Sequence, residues 1–208
     1  MNRRKIALIG GGGHALSVAA ALGRDIEGYV DVAHSAALPW PYLGTDDEYL
    51  SAPQSAEPVI TLVSGAKCDL SARRRLIEKY DSRVTEHHAA ADAYIDSSAT
   101  IGAGSVIMRR AVVNCHTHIG RHCIVNTGAI VEHACHIGCN VFIGPGAVIC
   151  GGVTVGDDVY IGANAAVRPG VSIASGCVIG LGAAVVSDIN EAGTYVGNPA
   201  KLKNKCTR

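Results

Sequence analysis

The sequence predicts two unlike units in one chain, a half-Rossmann-like α/β domain followed by an all-β parallel β-helix. Three observations carry this. The composition is 48% hydrophobic but only 4% aromatic, with 25 glycines among 208 residues. From Ile95 to Val185, every sixth residue is Ile or Val. Ahead of that repeat, an apolar run ends in a cluster of glycines and passes into a helix-like stretch. A chain with so few rings must build its core from Val, Ile, Leu, Ala and Cys. That suits a narrow interior of repeated small side chains.

The first domain reads as βαβ alternation on a small parallel sheet. Residues 5–10 (Lys-Ile-Ala-Leu-Ile-Gly) predict a strand, and a helix follows over Ala15 to Leu22. A second strand ends in Gly28-Tyr29-Val30-Asp31, a third candidate is Pro58–Val63, and Ala72–Lys79 predicts a basic helix. Arg73–Arg75 are expected on a solvated face of that helix. The segment Tyr80 to Asp92 is polar and Ala-rich and is expected to link the domains.

Gly10-x-Gly12-x-x-Ala15 fits the dinucleotide fingerprint, with Asp31 near the expected acidic position. The first domain, residues 1–86, has room for about half of a doubly wound fold and hence a mononucleotide site. Glycines without side chains let backbone N–H groups and a helix N-terminus approach a diphosphate. Nucleotide-diphosphate binding is therefore the leading reading. A nicotinamide cofactor and a purely structural Gly-rich turn are the alternatives.

In the second unit, sixteen consecutive positions six apart are all Ile or Val, and the residue two places before each is small or β-branched. Neither period 2 nor period 3.6 produces this. Each hexapeptide supplies one short strand and one turn, with the aliphatic pointing inward. Three of them close a triangular coil, and coils stack about 4.8 Å apart. Cys123, Cys135 and Cys177 fall in the small-residue row and read as core filler. The implied boundaries are residues 1–86 for the first domain, 87–190 for the β-helix and 191–208 for a C-terminal tail.

Lys plus Arg equal Asp plus Glu at 18 each, which argues against a nucleic-acid partner. No apolar run approaches a membrane span, and the apolar stretch after the basic start is too short for a signal peptide. The eight cysteines form no Cys-x-x-Cys pair, so a reduced, cytoplasmic setting is expected.

Residues 18 apart stack in neighbouring coils, so His116, His118, His133 and His136 gather at one corner beside Glu132. Gly151 stacks over His133. This pattern points to general-base chemistry by a histidine or to a zinc site. Asn126, Gly144, Gly162 and Gly180 form a second column, read either as an open groove between subunits or as glycine fitted to the pleat.

Several features occur together here: the glycine loop with His14, the uninterrupted hexapeptide register, Asn126-Thr127-Gly128-Ala129-Ile130-Val131-Glu132-His133, and the ending Gly197-Asn198-Pro199-Ala200-Lys201. Together they resemble the two-domain hexapeptide-repeat sugar acetyltransferases, which N-acetylate nucleotide-linked 4-amino-sugars of the bacillosamine and perosamine type and include sialic acid O-acetyltransferase relatives. The resemblance implies a left-handed β-helix, acetyl-CoA as cosubstrate, a UDP- or GDP-linked 4-amino-sugar as substrate and a homotrimer with its active site between β-helices. It implies that His133 is the general base, with Glu132 beside it, and that Asn126 and His14 place the substrate. Gly10, Gly12, Gly13, Asp31 and Gly65 would hold the nucleotide, and Gly151, Ala163 and Leu181 would line the acetyl-CoA groove. Phe142, the one Phe in the chain, stands where the family often has a second His, and it is expected against the pantetheine arm or a neighbouring subunit. Ala134 stands where a carboxylate commonly follows the base, so Glu132, His116 or a main-chain carbonyl is expected to orient His133. O-acetylation of a sugar such as sialic acid is the nearest alternative. The remote one is a zinc hydratase like the γ-class carbonic anhydrases, disfavoured because Ser97 rather than a His lies two coils below His133.

Overall fold

A computed structural model describes residues 4–53, 56–63, 68 and 70–205. Strand β1 (Ile6–Ile9) lies between β2 (Ile26–Val30) and β3 (Glu57–Ile60), parallel to both. All four β1 residues are buried, as expected for the centre of a covered parallel sheet. Helix α1 (Gly13–Leu22) links β1 to β2 and stops at Gly23, whose φ of 56° allows its N–H to return to the Ala19 carbonyl. The third strand ends three residues earlier than Pro58–Val63 implies, because Thr61 leaves the ladder to bond back to the β1–α1 turn.

Helix α2 (Asp46–Ser51) was not anticipated, although its signal is in the sequence. Thr45 and Glu48 form a reciprocal capping box at its start. Helix α3 (Ser71–Tyr80) contains the basic run. Its Arg73 contradicts the solvated-face expectation. The side chain is 1% exposed and its guanidinium bonds to the carbonyls of Ile60, Leu62 and His122.

The β-helix comprises seventeen two-residue strands, from β4 (His88–Ala89) to β20 (Ala184–Val185). Each pairs in parallel with the strand one coil on, as in Ile124 with Phe142 and Val131 with Ile149. These strands form three sheets, here called faces I, II and III, of six, six and five strands. The inward Ile and Val residues from Ile107 to Val185 are buried and form one continuous column with Cys123, Cys135 and Cys177. The first coil begins one hexapeptide before Ile95, with Ala89 in the inward row opposite Ile107. The predicted linker is therefore shorter, a 3-10 turn at Asp81–Arg83 followed by a few residues.

One residue per hexapeptide is left-handed. From Gly104 to Gly182 every sixth residue has positive φ, including the non-glycines Arg110, His116, His122, Ala134, Asn140, Asp158 and Asn164. This turn requirement explains much of the glycine content. Residues 193–205 do not form a free tail. β21 (Gly193–Val196) adds parallel to face I and β22 (Lys201–Lys205) adds antiparallel to β21.

The three faces differ in their outward rows. On face I, Val106, Ile124 and Phe142 are buried against Leu8, Val18 and Tyr29 of the first domain. Face II carries Tyr94, Val112, Ile130 and Val148, which are apolar and only partly covered. Face III presents Thr100, His118, His136, Thr154 and Ser172, all exposed. The apolar faces I and II meet at the corner that carries Asn126.

Candidate active site

His133 sits at the turn between faces II and III, held there because Val131 points into the column and Cys135 fills the corner. Its imidazole is exposed and lies over Gly151: a Cβ built on that glycine would be 2.5 Å from His133 Nε2. Glu132 does not orient the ring. Its carboxylate accepts from Asn114 Nδ2 at 3.0 Å, one coil below. Asn114 was missed from sequence, though it stands 18 residues before Glu132. Among the described residues the His133 ring has no hydrogen-bond partner. His116 is exposed with φ of 55°, and the His118 and His136 rings lie 6.4 Å apart on face III. Among the described residues no three His, Cys, Asp or Glu side chains are grouped to hold a metal.

Asn126 occupies the opposite edge of face II. It is 7% exposed, and its Oδ1 accepts the Thr127 N–H at 2.7 Å. Gly144, Gly162 and Gly180 above it are not an open strip. A Cβ on Gly144 or Gly162 would come within 2.7 Å of the backbone N of Ala163 or Leu181, so these glycines permit the coils to stack. Ala163 is half-buried and Leu181 is 75% exposed, a large apolar side chain with nothing covering it. Phe142, expected against the pantetheine arm or a neighbouring subunit, is a core residue instead. It is 4% exposed and stacks on Tyr160 at 4.8 Å, within the apolar seam between the domains.

In the first domain the N-terminus of α1 is open. Gly12 and Gly13 are exposed, no side chain caps the helix, and its first turn holds no acidic residue. Such an end presents free N–H groups and a positive potential. Asp31 closes the turn beneath it by accepting from Gly11 N–H at 2.5 Å and Val32 N–H at 2.6 Å. Gly10, at φ 107°, packs against Leu62. A cavity of about 560 Å³ opens beside these residues, lined by Gly10, Asp31, Val32, Leu62, Arg75 and Lys79 among others. Lys79 is engaged by Asp46 at 3.1 Å. Gly65 lies outside the described residues.

His14 Nδ1 is 3.1 Å from the Thr61 carbonyl. A carbonyl only accepts, so Nδ1 carries the proton and Nε2 is an acceptor, buried and without a partner among the described residues. Burial lowers the His14 pKa, opposed by the Thr61 bond and assisted by the charge of Arg73. Burial also brings Arg73 down to about 10, still cationic at neutral pH.

Within one chain these groups do not converge. Asn126 and the first domain flank one edge of face II; Arg109, at that corner, donates to the α1 carbonyl of Ala20 at 2.7 Å. His133 lies at the other edge.

Residues 134–168 match the bacterial transferase hexapeptide family, and residues 152–187 match the hexapeptide repeat of succinyl-transferase. No curated protein matches the sequence. Solved structures match from end to end. The acetyltransferase domain of PglB from Neisseria gonorrhoeae FA1090, in complex with acetyl coenzyme A, is 33% identical over 97% of this chain and 100% of that one, with a TM-score of 0.87. PerB from Caulobacter crescentus, in complex with CoA and GDP-perosamine, is 30% identical over 96% and 97% of the two chains, with a TM-score of 0.85. WeeI from Acinetobacter baumannii AYE shares the fold at 22% identity and a TM-score of 0.81.

Proposed function

The chain belongs to the two-domain hexapeptide-repeat sugar acetyltransferases, and from that premise we propose that it transfers acetyl from acetyl-CoA to the 4-amino group of a nucleotide-linked sugar. The carrying observation is the likeness, over 96% of this chain, to a structure holding CoA and GDP-perosamine. In this reading the amine nitrogen attacks the thioester carbonyl while His133 takes its proton. The tetrahedral intermediate collapses by breaking the C–S bond, and the imidazolium returns the proton to the departing thiolate. A main-chain N–H near Gly151 steadies the oxyanion. The open end of α1, with Gly10, Gly12 and Gly13, holds the diphosphate. Asp31 shapes that turn, and its two backbone bonds leave it a supporting part. His14 Nε2 and Asn126 receive the sugar. Gly151, Ala163 and Leu181 border the acetyl-CoA path, and Phe142 has no part in it.

The separation of Asn126 from His133 supports a site shared between copies. A second β-helix docked on apolar face II covers Val112, Ile130 and Val148, and brings its His133 edge to the first copy's Asn126 edge. A closed trimer satisfies every copy in the same way.

The test is a screen of UDP- and GDP-linked 4-amino-sugars with acetyl-CoA, following thiol release. Turnover of at least one 4-amino donor is expected. Release only with sugars that lack an amine would reject N-acetylation, and its absence with every sugar would reject the reading.

A further inference from the structure

We propose that Arg73 is a positioning residue that sets the glycine loop and His14 in register with the β-helix, and thereby governs capture of the nucleotide sugar. This rests on the function proposed above. Arg73 projects from α3, where its guanidinium bonds to no carboxylate among the described residues. Nη1 donates to the Ile60 and Leu62 carbonyls at 3.3 and 3.2 Å, and Nη2 donates to the His122 carbonyl at 2.7 Å. A buried cation without a counter-ion is costly, and an apolar side chain of that volume would suit a mere filler better. The planar fork meets a need that an apolar residue cannot, because it holds main chain from both domains at once.

The two residues it holds in the first domain, Ile60 and Leu62, flank Thr61, which shapes the site. Successive carbonyls of an extended segment point to opposite sides. Arg73 holds Ile60 and Leu62 on one side, and on the other the Thr61 carbonyl faces His14 Nδ1. The Thr61 hydroxyl meanwhile lies 3.0 Å from the Ile9 carbonyl and 2.6 Å from that of Gly10. A path therefore runs from the His122 turn through Arg73 to the Ile60 and Leu62 carbonyls, along the main chain to Thr61 between them, and from Thr61 to His14 and the glycine loop.

Asp81 offers an internal control. It joins the same junction by bonding to Arg121 and His122, each at 2.6 Å, without touching residues 60–62. The experiment compares full-length Arg73→Met, Arg73→Lys and Asp81→Asn. Losing a charge-assisted tie of this kind should raise KM for the nucleotide sugar about tenfold or more in Arg73→Met, while KM for acetyl-CoA changes less than about twofold. Arg73→Lys should fall between, and Asp81→Asn should leave both constants within about twofold even if it lowers the melting temperature. Amide exchange at residues 9–14 and 60–62 should quicken in the Arg73 variants and not in Asp81→Asn. Should Arg73→Met not fold, Arg73→Lys carries the same contrast. Both KM values rising together, or unchanged exchange at those residues, would overturn the proposal. The exchange result stands even if the wild type acetylates no amino sugar.

Discussion

Along the β-helix, a residue's neighbours are those 18 positions away: Asn114 meets Glu132, Asn140 meets Asp158, and Ile124 pairs with Phe142. The first domain and its junction obey no such rule. Gly11 meets Asp31 across 20 residues, Thr61 meets Gly10 across 51, and Arg73 meets His122 across 49. The repeat spreads its cohesion over many equivalent apolar steps. The junction adds a few buried polar ties to its apolar seam, and the histidines whose pKa burial lowers (His14, His88 and His122) are all found there. Repetition gives a rigid rail on which an exposed histidine can be set, and singular contacts give a pocket its shape.

That contrast can be broken at graded cost. Ile143→Ala, at a wholly buried step of the column, should lose about 2–5 kcal/mol in denaturant unfolding. A loss below 1 kcal/mol would mean the column collapses around cavities and is not close-packed.

His133→Ala should cut turnover at least about 100-fold, the range for losing a general base. Its melting temperature should hold, since the side chain is exposed. Near-normal turnover would remove His133 from the chemistry.

Acid should act on the junction. Burial lowers His88 to about 4 from 6.5, helped by the nearby Arg24 charge. Below about pH 6.5 the unfolded chain takes up this proton while the folded chain does not, so stability is lost as pH falls from about 6.5 toward 4. Between pH 7 and 5 the loss should be about 2 kcal/mol, and His88→Asn should flatten it. An unchanged slope would place the acid sensitivity elsewhere.

Gly151→Ala puts a methyl 2.5 Å from His133 Nε2, too close for the ring to stay where it is, at a glycine without positive φ. Turnover should fall about tenfold, the cost of a misplaced catalytic group, with little change in stability. Full activity would show that the ring has another productive position.

The smallest effect is Ala134→Gly. Ala134 holds φ of 55° beside His133, and glycine should relieve about 1 kcal/mol, read as a higher melting temperature.

Legibility follows the same divide. The hexapeptide register located the strands, the buried cysteines and the stacking of Gly151 on His133, because each depends on one number, the length of a coil. The glycine strip was half legible. Its period was plain, but whether a missing side chain leaves a groove or admits the next backbone depends on coil spacing. Phe142 was misplaced because its row was readable as outward but not as covered by the first domain. Arg73 was misread because a run of three arginines looks alike in sequence, and only the packing of α3 on both domains singles out one of them.

By itself the sequence determined the triangular column with its inward Ile and Val at every sixth residue. It also determined that a histidine would stand at a corner and that glycines would open a helix end. These are local or periodic properties, decided by backbone sterics and by the period of the apolar residues. Only the tertiary structure decided which face the first domain covers, which arginine is buried, where Glu132 turns, and that Asn126 and His133 lie on opposite edges of one face. Those depend on the docking of two surfaces, where the outcome is set by shape and by buried polar groups finding partners far apart in the chain.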